Sequence, residues 1–463
     1  MQDVAIIGGG ISGLATAWEL RRRGVDAVVL ERETHPGGKA VSERIGGFLM
    51  EHGPSTIAAG SAAVAEVSDL LGLSAERCEL GPDVRNRYLV DGGALANISA
   101  NPIRFLLSGY MPVLGCLRVL AEVAVPRARD GGDETIAAFF SRRFGPDVAT
   151  RLVEPVVRGI YGGDVDKLSA AAVFPTLIEL EQRHGSVIRG AVRRLLSGKK
   201  MAGGGLFTWR DGVASLPARL AAELGPAVRG GIAVRRIRRT AAGFAIDAGE
   251  AGELQARAVV IATPPYAAAE LLDGLDEEAV EAVGAVAEPP LAVVFLGYRR
   301  ELVEHPLDGL GFFAARGERR ALNGAQFCST MFEGRAPEGH VAVAGYFGGD
   351  AASGPGRATA GELVALARRE FADLLGAKGE PVVGRVRHWP RGLPQYRLGH
   401  AERVATLRAA ESRVPGLFLT GNYFGGPSVG ACLDEAMKTA ARVPAATAAR
   451  TDGSEPILAA SGY

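Results

Sequence analysis

Apolar and polar positions recur with two different periods along this chain, and each change of period marks an element. "VAIIG", from Val4, is an unbroken apolar run of strand length leading into three glycines. From Ile11 to Arg23 the apolar residues return at helical spacing, and Gly24 closes that helix. "DAVVLE", Asp26 to Glu31, reads as a second buried strand, so residues 1–80 predict a βαβ unit. Residues 101–200 change character: helical patterns, several arginine clusters, no convincing strand. Strand signals return from Leu206, with "AVVIAT" at 258–263 and "LAVVFLGY" at 291–298, and residues 338–348 alternate as an antiparallel strand does. The last 50 residues read strand, glycine turn, helix in "GLFLTGNYFGGPSVGACLDEAMKTAARV", with a frayed tail expected from Arg450. The two ends therefore predict parts of one doubly wound sheet, with a discontinuous insert between them.

Composition narrows the class. The 463 residues suffice for two or three domains with a large core. Lysine plus arginine equals aspartate plus glutamate, 52 each, so no global field draws in nucleic acid. The 63 glycines fall in doublets and triplets without a repeat, which excludes a collagen-like or low-complexity chain. Cys78, Cys116, Cys328 and Cys432 form no CxxC, and the histidines lack ligand spacing. No metal, zinc site or disulfide framework is expected, and a reducing compartment fits. The first apolar stretch lacks a basic leader and a cleavage site, so no secretory signal is expected.

Within "GGGISG" the fingerprint glycines are Gly8, Gly10 and Gly13. The first permits the tight turn, the second lets backbone touch a pyrophosphate, and the third lets helix and strand pack closely. Free N–H groups at the helix start, around Ile11 and Ser12, suit phosphate. Glu31 lies 18 residues past Gly13, where an acid can bond both ribose hydroxyls, with Arg32 beside it. That acid disfavours NADP. A second glycine pair, Gly37–Gly38, follows with Lys39, whose cation can face a phosphate. "EHGPS" then adds His52, Gly53, Pro54 and Ser55 close to whatever lies beyond the pyrophosphate. NAD domains do not usually need this second clasp.

This stretch resembles the glutathione-reductase-like flavoproteins, specifically the amine oxidase and protoporphyrinogen oxidase superfamily. The resemblance implies noncovalent FAD. It places Val234 of "GGIAVRRI" against the adenine and Trp389 of "HWP" beside the flavin. It also makes Gly421, Pro427, Ser428 and Val429 a closing motif, whose helix N-terminus points its positive end at the flavin's pyrimidine edge. A cysteine near a flavin can form a thioether, but the family implies no such bond to Cys432.

Residues 143–190, "RFGPDVATRLVEPVVRGIYGGDVDKLSAAAVFPTLIELEQRHGSVIRG", sharpen the likeness. They are similar to the porphyrinogen oxidase family, protoporphyrinogen and coproporphyrinogen III oxidases, as are "RNRYLVDGGAL" and "HWPRGLPQYRLGH". The implied architecture is α/β: a Rossmann-type FAD domain, a mixed-sheet substrate domain and an all-α membrane-binding insert. The expected boundaries are 1–80, 203–285 and 405–463 for FAD, 81–100 and 286–404 for substrate, and 101–202 for the insert. No run reaches the ~20 apolar residues that span a bilayer, so an interface-lying segment is expected. The protein would be cytoplasmic, or peripheral on the cytoplasmic face of the membrane. A homodimer is left open.

The implied reaction removes six electrons from a porphyrinogen in three two-electron rounds, with oxygen as acceptor and flavin N5 taking the hydride. The pyrrole nitrogens supply the push, so no protein acid or base is expected. Family likeness puts Arg87 at a propionate and Phe313 and Phe327 around a pyrrole ring. A solvated arginine and two core phenylalanines are the bland alternatives. "GIYGGDVDKLSAAAVFP" leans toward protoporphyrinogen IX, with coproporphyrinogen III as alternative. A carotenoid-type desaturase, an amine oxidase or a non-catalytic flavin-fold carrier stand further off.

Overall fold

The strand Gln2–Ile7 lies inside a seven-stranded sheet. Ala27–Leu30 and then Val228–Arg229 run parallel to it on one side. Glu253–Ile261 runs parallel on the other, and itself pairs in parallel with Leu417–Leu419. Gly243–Asp247 and Arg236–Thr240 extend that edge antiparallel. Val4 and Ile6 face one layer of helices, Ala5 and Ile7 the other. Burial on both faces is why these strands read as unbroken apolar runs. Helices Ile11–Arg22 and Val429–Ala448 share one core through Leu14, Leu433 and Ala436. The helices Pro265–Leu272, Glu277–Gly284 and His400–Arg413 cover the opposite face. The chain's two ends thus meet in one sheet. This computed structural model describes residues 1–98, 109–128, 132–197, 205–350 and 358–448, without the side chains after Val443. The expected frayed tail lies outside them.

A second sheet of seven strands has the order Val383–Trp389, Leu291–Arg299, His340–Gly348, Leu322–Gln326, Gly309–Phe313, Asn86–Asp91, Ala94–Asn97. Gly309–Phe313 and Asn86–Asp91 run parallel, and the other neighbours are antiparallel. Helix Ala360–Leu375 covers one face through Leu363, Ala367 and Phe371. The hairpin Ser42–Ile45/Phe48–Glu51 covers part of the other, laying Phe48 and Met50 on Val293 and Phe295. His340–Gly348 does not alternate as its sequence suggests, because both its faces are covered.

Between Tyr110 and Ser197 the described residues hold helices and no named strand. Arg143 and Glu122, both fully buried, pair at the centre of this insert. Glu122 also accepts from Ser186 Oγ at 2.5 Å and from Val187 N–H at 2.9 Å. Among the described residues no helix is long and apolar enough to cross a membrane.

Candidate functional site

A cavity of about 2080 Å³ runs between the two sheets and under the helical insert. That is about twice the upper end of an ordinary small-molecule pocket, room for two ligands side by side. Its floor is the first strand–helix turn. Gly8, at φ +108°, is where the chain bends, and a Cβ on Gly13 would stand 2.0 Å from Gly8 O. That contact lets helix Ile11–Arg22 start close to the strand, with Gly10, Ile11 and Ser12 on the cavity. Gly37 N–H donates to Gly9 O at 2.8 Å, which draws Gly38 over the turn. A Cβ on Gly38 would lie 3.2 Å from Gly10 Cα.

Glu31 follows the strand Ala27–Leu30. Its Oε2 accepts from Gly9 N–H at 2.6 Å and its Oε1 from Glu33 N–H at 2.8 Å. The carboxylate is fixed, and each oxygen keeps a lone pair for a hydroxyl. Val234 enters on the loop after Gly231, beside Arg32, Tyr266 and Glu270. From the other end of the chain come Gly421, Pro427, Ser428 and Val429. The start of helix Val429–Ala448 therefore opens onto the same cavity as the first turn. Ser12 hydrogen-bonds the thiol of Cys432 there, and burial pushes that thiol up to about 11. A thiol so weakly acidic is no ready nucleophile, which accords with a noncovalent cofactor.

Gly53, Pro54 and Ser55 lie above the turn with His52. The His52 carbonyl accepts from Trp389 Nε1 at 2.6 Å, and its ring faces Glu43 at 2.8 Å. Lys39 lines the cavity, but its ammonium is bonded to the Gly392 carbonyl and lies 3.6 Å from Glu288. Burial lowers the Lys39 pKa, and Glu288 opposes that. The cation expected to face a phosphate is thus held by a buried acid instead.

Beyond the clasp the wall is the open face of the second sheet. One register row crosses it, Arg387, Val293, Tyr346, Gly324, Phe313 and Leu89, and every member lines the cavity. Arg87 stands two residues before Leu89 on the same face, exposed and with no side-chain partner among the described residues. Opposite this wall the insert contributes Leu152, Val156 and Ile160. The chamber is apolar, with an arginine at its edge.

The sequence pattern of flavin containing amine oxidoreductases matches residues 11–444. The chain belongs to that family. Its relatives include the chloroplastic protoporphyrinogen oxidase of Oryza sativa subsp. japonica, 30% identical over 95% of this chain and 88% of that protein. The coproporphyrinogen III oxidase of Bacillus subtilis (strain 168) is 26% identical over 94% of this chain and 96% of that one. In fold, the chain is similar to a crystal structure from Exiguobacterium sp. 255-15 described as a protoporphyrinogen oxidase. That match has a TM-score of 0.81 at 22% identity, over 95% of this chain and 98% of that one.

As a member of this family the protein is an FAD-dependent oxidoreductase. The residues fit the cofactor. A glycine turn with no room for a Cβ at Gly8 or Gly13, a carboxylate fixed for a ribose and a helix start facing the same cavity are what a dinucleotide needs. Most residues expected from the sequence reach this cavity. Gly13 does not, since it serves the helix packing beneath. Phe327 is a correction: it is fully buried in the core on the other side of the sheet, its ring 6.2 Å from Phe312 and 5.5 Å from His305. It cannot touch a substrate from there. Its neighbour Gln326 lines the cavity instead, as do Tyr346 and Arg387, which sequence reasoning missed. A signal was present: Gln326 closes its strand with an amide, and Tyr346 carries the one hydroxyl in the run from Val341 to Gly348.

Proposed function

We propose that this protein oxidises a porphyrinogen to its porphyrin, with oxygen as acceptor, in the synthesis of haem and related pigments. What carries the reading is one continuous cavity in which a dinucleotide cradle opens onto an apolar chamber edged by Arg87. Bound FAD supplies a two-electron acceptor, so one substrate is turned over in three rounds. The chain's part is to hold the macrocycle and exclude water. Phe313 and Leu89 press on its face, and the Arg87 guanidinium takes a propionate, for which its planar fork is suited. Tyr346, the phenol in this wall, donates to Gln326 Oε1 at 2.7 Å, and burial raises it well above the usual phenol range, so it is not poised as a base.

Protoporphyrinogen IX is the substrate toward which the sequence leans. Coproporphyrinogen III is the second reading, favoured by the polar side chains of Gln326 and Tyr346 in the chamber wall. The purified protein should be yellow, anaerobic porphyrinogen should bleach it, and air should restore the colour with peroxide. A yellow protein that neither porphyrinogen bleaches would overturn the proposal.

A peripheral contact with membrane lipid belongs to the same reading. Helix Val113–Leu120 exposes Val113, Leu114, Leu117 and Leu120, and helix Val187–Leu196 exposes Val192, Leu195 and Leu196. Arg193 and Arg194 accompany them, the composition of an interface-lying surface. Leu114→Asp with Leu117→Asp should lower co-sedimentation with phosphatidylglycerol vesicles while leaving FAD content intact.

A further inference from the structure

Residues 390–393, a strap that follows the strand Val383–Trp389, line the cavity beside the first turn. Gly392 N–H donates to the Pro289 carbonyl at 3.0 Å, and the Gly392 carbonyl accepts from the Lys39 ammonium. Lys39 follows Gly38, which lies over Gly10. Arg391, the residue before Gly392, lays its guanidinium over the Tyr266 ring, 4.8 Å from the ring centre. Tyr266 hydrogen-bonds Arg32, the neighbour of Glu31. These contacts make a bracket from the turn at Gly10 to the acid at Glu31, and Arg391 stands in its middle, on the cavity.

A dinucleotide that gives its ribose to Glu31 and rests on the start of helix Ile11–Arg22 puts its pyrophosphate between the two. Two negative charges arrive there, and the helix end offers about half a positive one. The lining acids Glu31, Glu33 and Glu270 deepen the deficit. Six lysine and arginine side chains line the cavity. Lys39 lies 3.6 Å from Glu288, and Arg32 lies 3.4 Å from Glu33. A Cβ on Gly249 would stand 3.4 Å from Arg235 Nε, so that head is turned to the far end of strand Gly243–Asp247. Arg87 and Arg387 belong to the second sheet. Arg391 remains, with no hydrogen bond or ion pair among the described residues. Burial raises the Glu288 pKa, and Lys39 and then Arg391 oppose that, so Arg391 is near this acid without being paired to it.

We infer that Arg391 is the cation that binds the cofactor's pyrophosphate, in the role that the sequence suggests for Lys39, and that Lys39 and Glu288 brace the strap that carries it. The planar fork of Arg391 can bond two phosphate oxygens at once. Its stacking on Tyr266 orders the guanidinium before a ligand arrives, which lowers the cost of binding. The inference concerns the FAD site alone and is independent of the substrate that is oxidised.

The test titrates the whole chain, freed of its flavin, with FAD, ADP and adenosine. ADP keeps the pyrophosphate and adenosine lacks it. Arg391→Ala should raise Kd for FAD and for ADP by one common factor, about tenfold, the worth of one hydrogen bond to a charged group. Kd for adenosine should not change. Added salt should weaken FAD binding to the wild type more than to Arg391→Ala, because screening acts on the charge that the variant lacks. Arg391→Lys should recover part of the affinity and keep the salt dependence. Arg391 is exposed, so these variants should fold as the wild type does. Lys39→Met with Glu288→Gln removes the brace without changing net charge and should keep the salt dependence, whatever it does to affinity. An unchanged Kd for FAD in Arg391→Ala would leave the arginine solvated and overturn the inference. Equal losses for adenosine and ADP would overturn it by tracing the effect to Tyr266, and a loss for FAD with none for ADP by moving the contact to the flavin end. A salt dependence kept in Arg391→Ala and lost in the double variant would return the phosphate to Lys39.

Discussion

A Cβ placed on Gly159 would stand 2.0 Å from Cδ1 of Phe313. Gly159 belongs to the insert helix Glu154–Tyr161, and Phe313 ends a strand of the second sheet. The ring is therefore set in place by the absence of a side chain opposite. Gly159→Ala should drive Phe313 further into the chamber and raise the porphyrinogen KM several-fold. FAD absorbance and thermal stability should change little, since the helix gains from alanine what the contact loses. Steady-state kinetics beside a flavin spectrum checks this, and an unaltered KM would show that Phe313 does not touch substrate.

Arg87 has no anionic partner among the described residues, and its side chain lines the cavity where a ligand can reach it. Arg87→Ala should raise KM by about tenfold or more and lower kcat much less, because ground state and transition state share a propionate contact equally. Arg87→Lys should recover part of the loss, since it restores charge without the planar fork. A large fall in kcat at constant KM would remove Arg87 from substrate binding.

The parts of this site legible in the sequence are those built by neighbouring residues. The turn from Gly8 to Gly13, Glu31 after its strand and the run from Gly421 to Val429 each carry their geometry in a dozen residues or fewer. What escaped is set by partners far apart. Lys39 looks like a free cation until the fold brings Glu288 and the Gly392 carbonyl to it. Phe327 and Gln326 show the limit of a strand pattern. Adjacent residues face opposite sides, and only the pairing of Gln326 with Gly311 and Ala344 decides which side is the cavity.

Glu31 holds Gly9 and Glu33 by their N–H groups and leaves lone pairs toward the cavity. Glu31→Ala should weaken FAD binding by two orders of magnitude or so, by losing the ribose contacts and loosening the turn. The protein should purify with little yellow colour, and a flavin titration should give the ratio of dissociation constants. Glu31→Gln keeps one acceptor and should fall between. Full FAD content in Glu31→Ala would place the adenosine elsewhere.

His400 begins a helix behind Tyr396, with ring centres 4.8 Å apart, and Tyr396 lines the cavity and donates to the Asn422 carbonyl at 2.5 Å. Burial, and then the Arg403 cation, press the His400 pKa down to about 4 from 6.5. Between those values the unfolded chain binds the proton that the folded chain refuses, so stability rises with pH through this window. Above about pH 6.5 the residue contributes nothing to the pH dependence, and by pH 4 it has cost roughly 3 kcal/mol. His400→Phe removes the titrating group and keeps an aromatic ring against Tyr396. The drop in melting temperature from pH 7 to pH 5 should be smaller in this variant than in the wild type, whatever its stability at pH 7. Bound FAD should be lost less readily at pH 5 as well, because Tyr396 links this ring to the segment that carries Gly421. Parallel melting curves for the two proteins would refute the buried, neutral histidine.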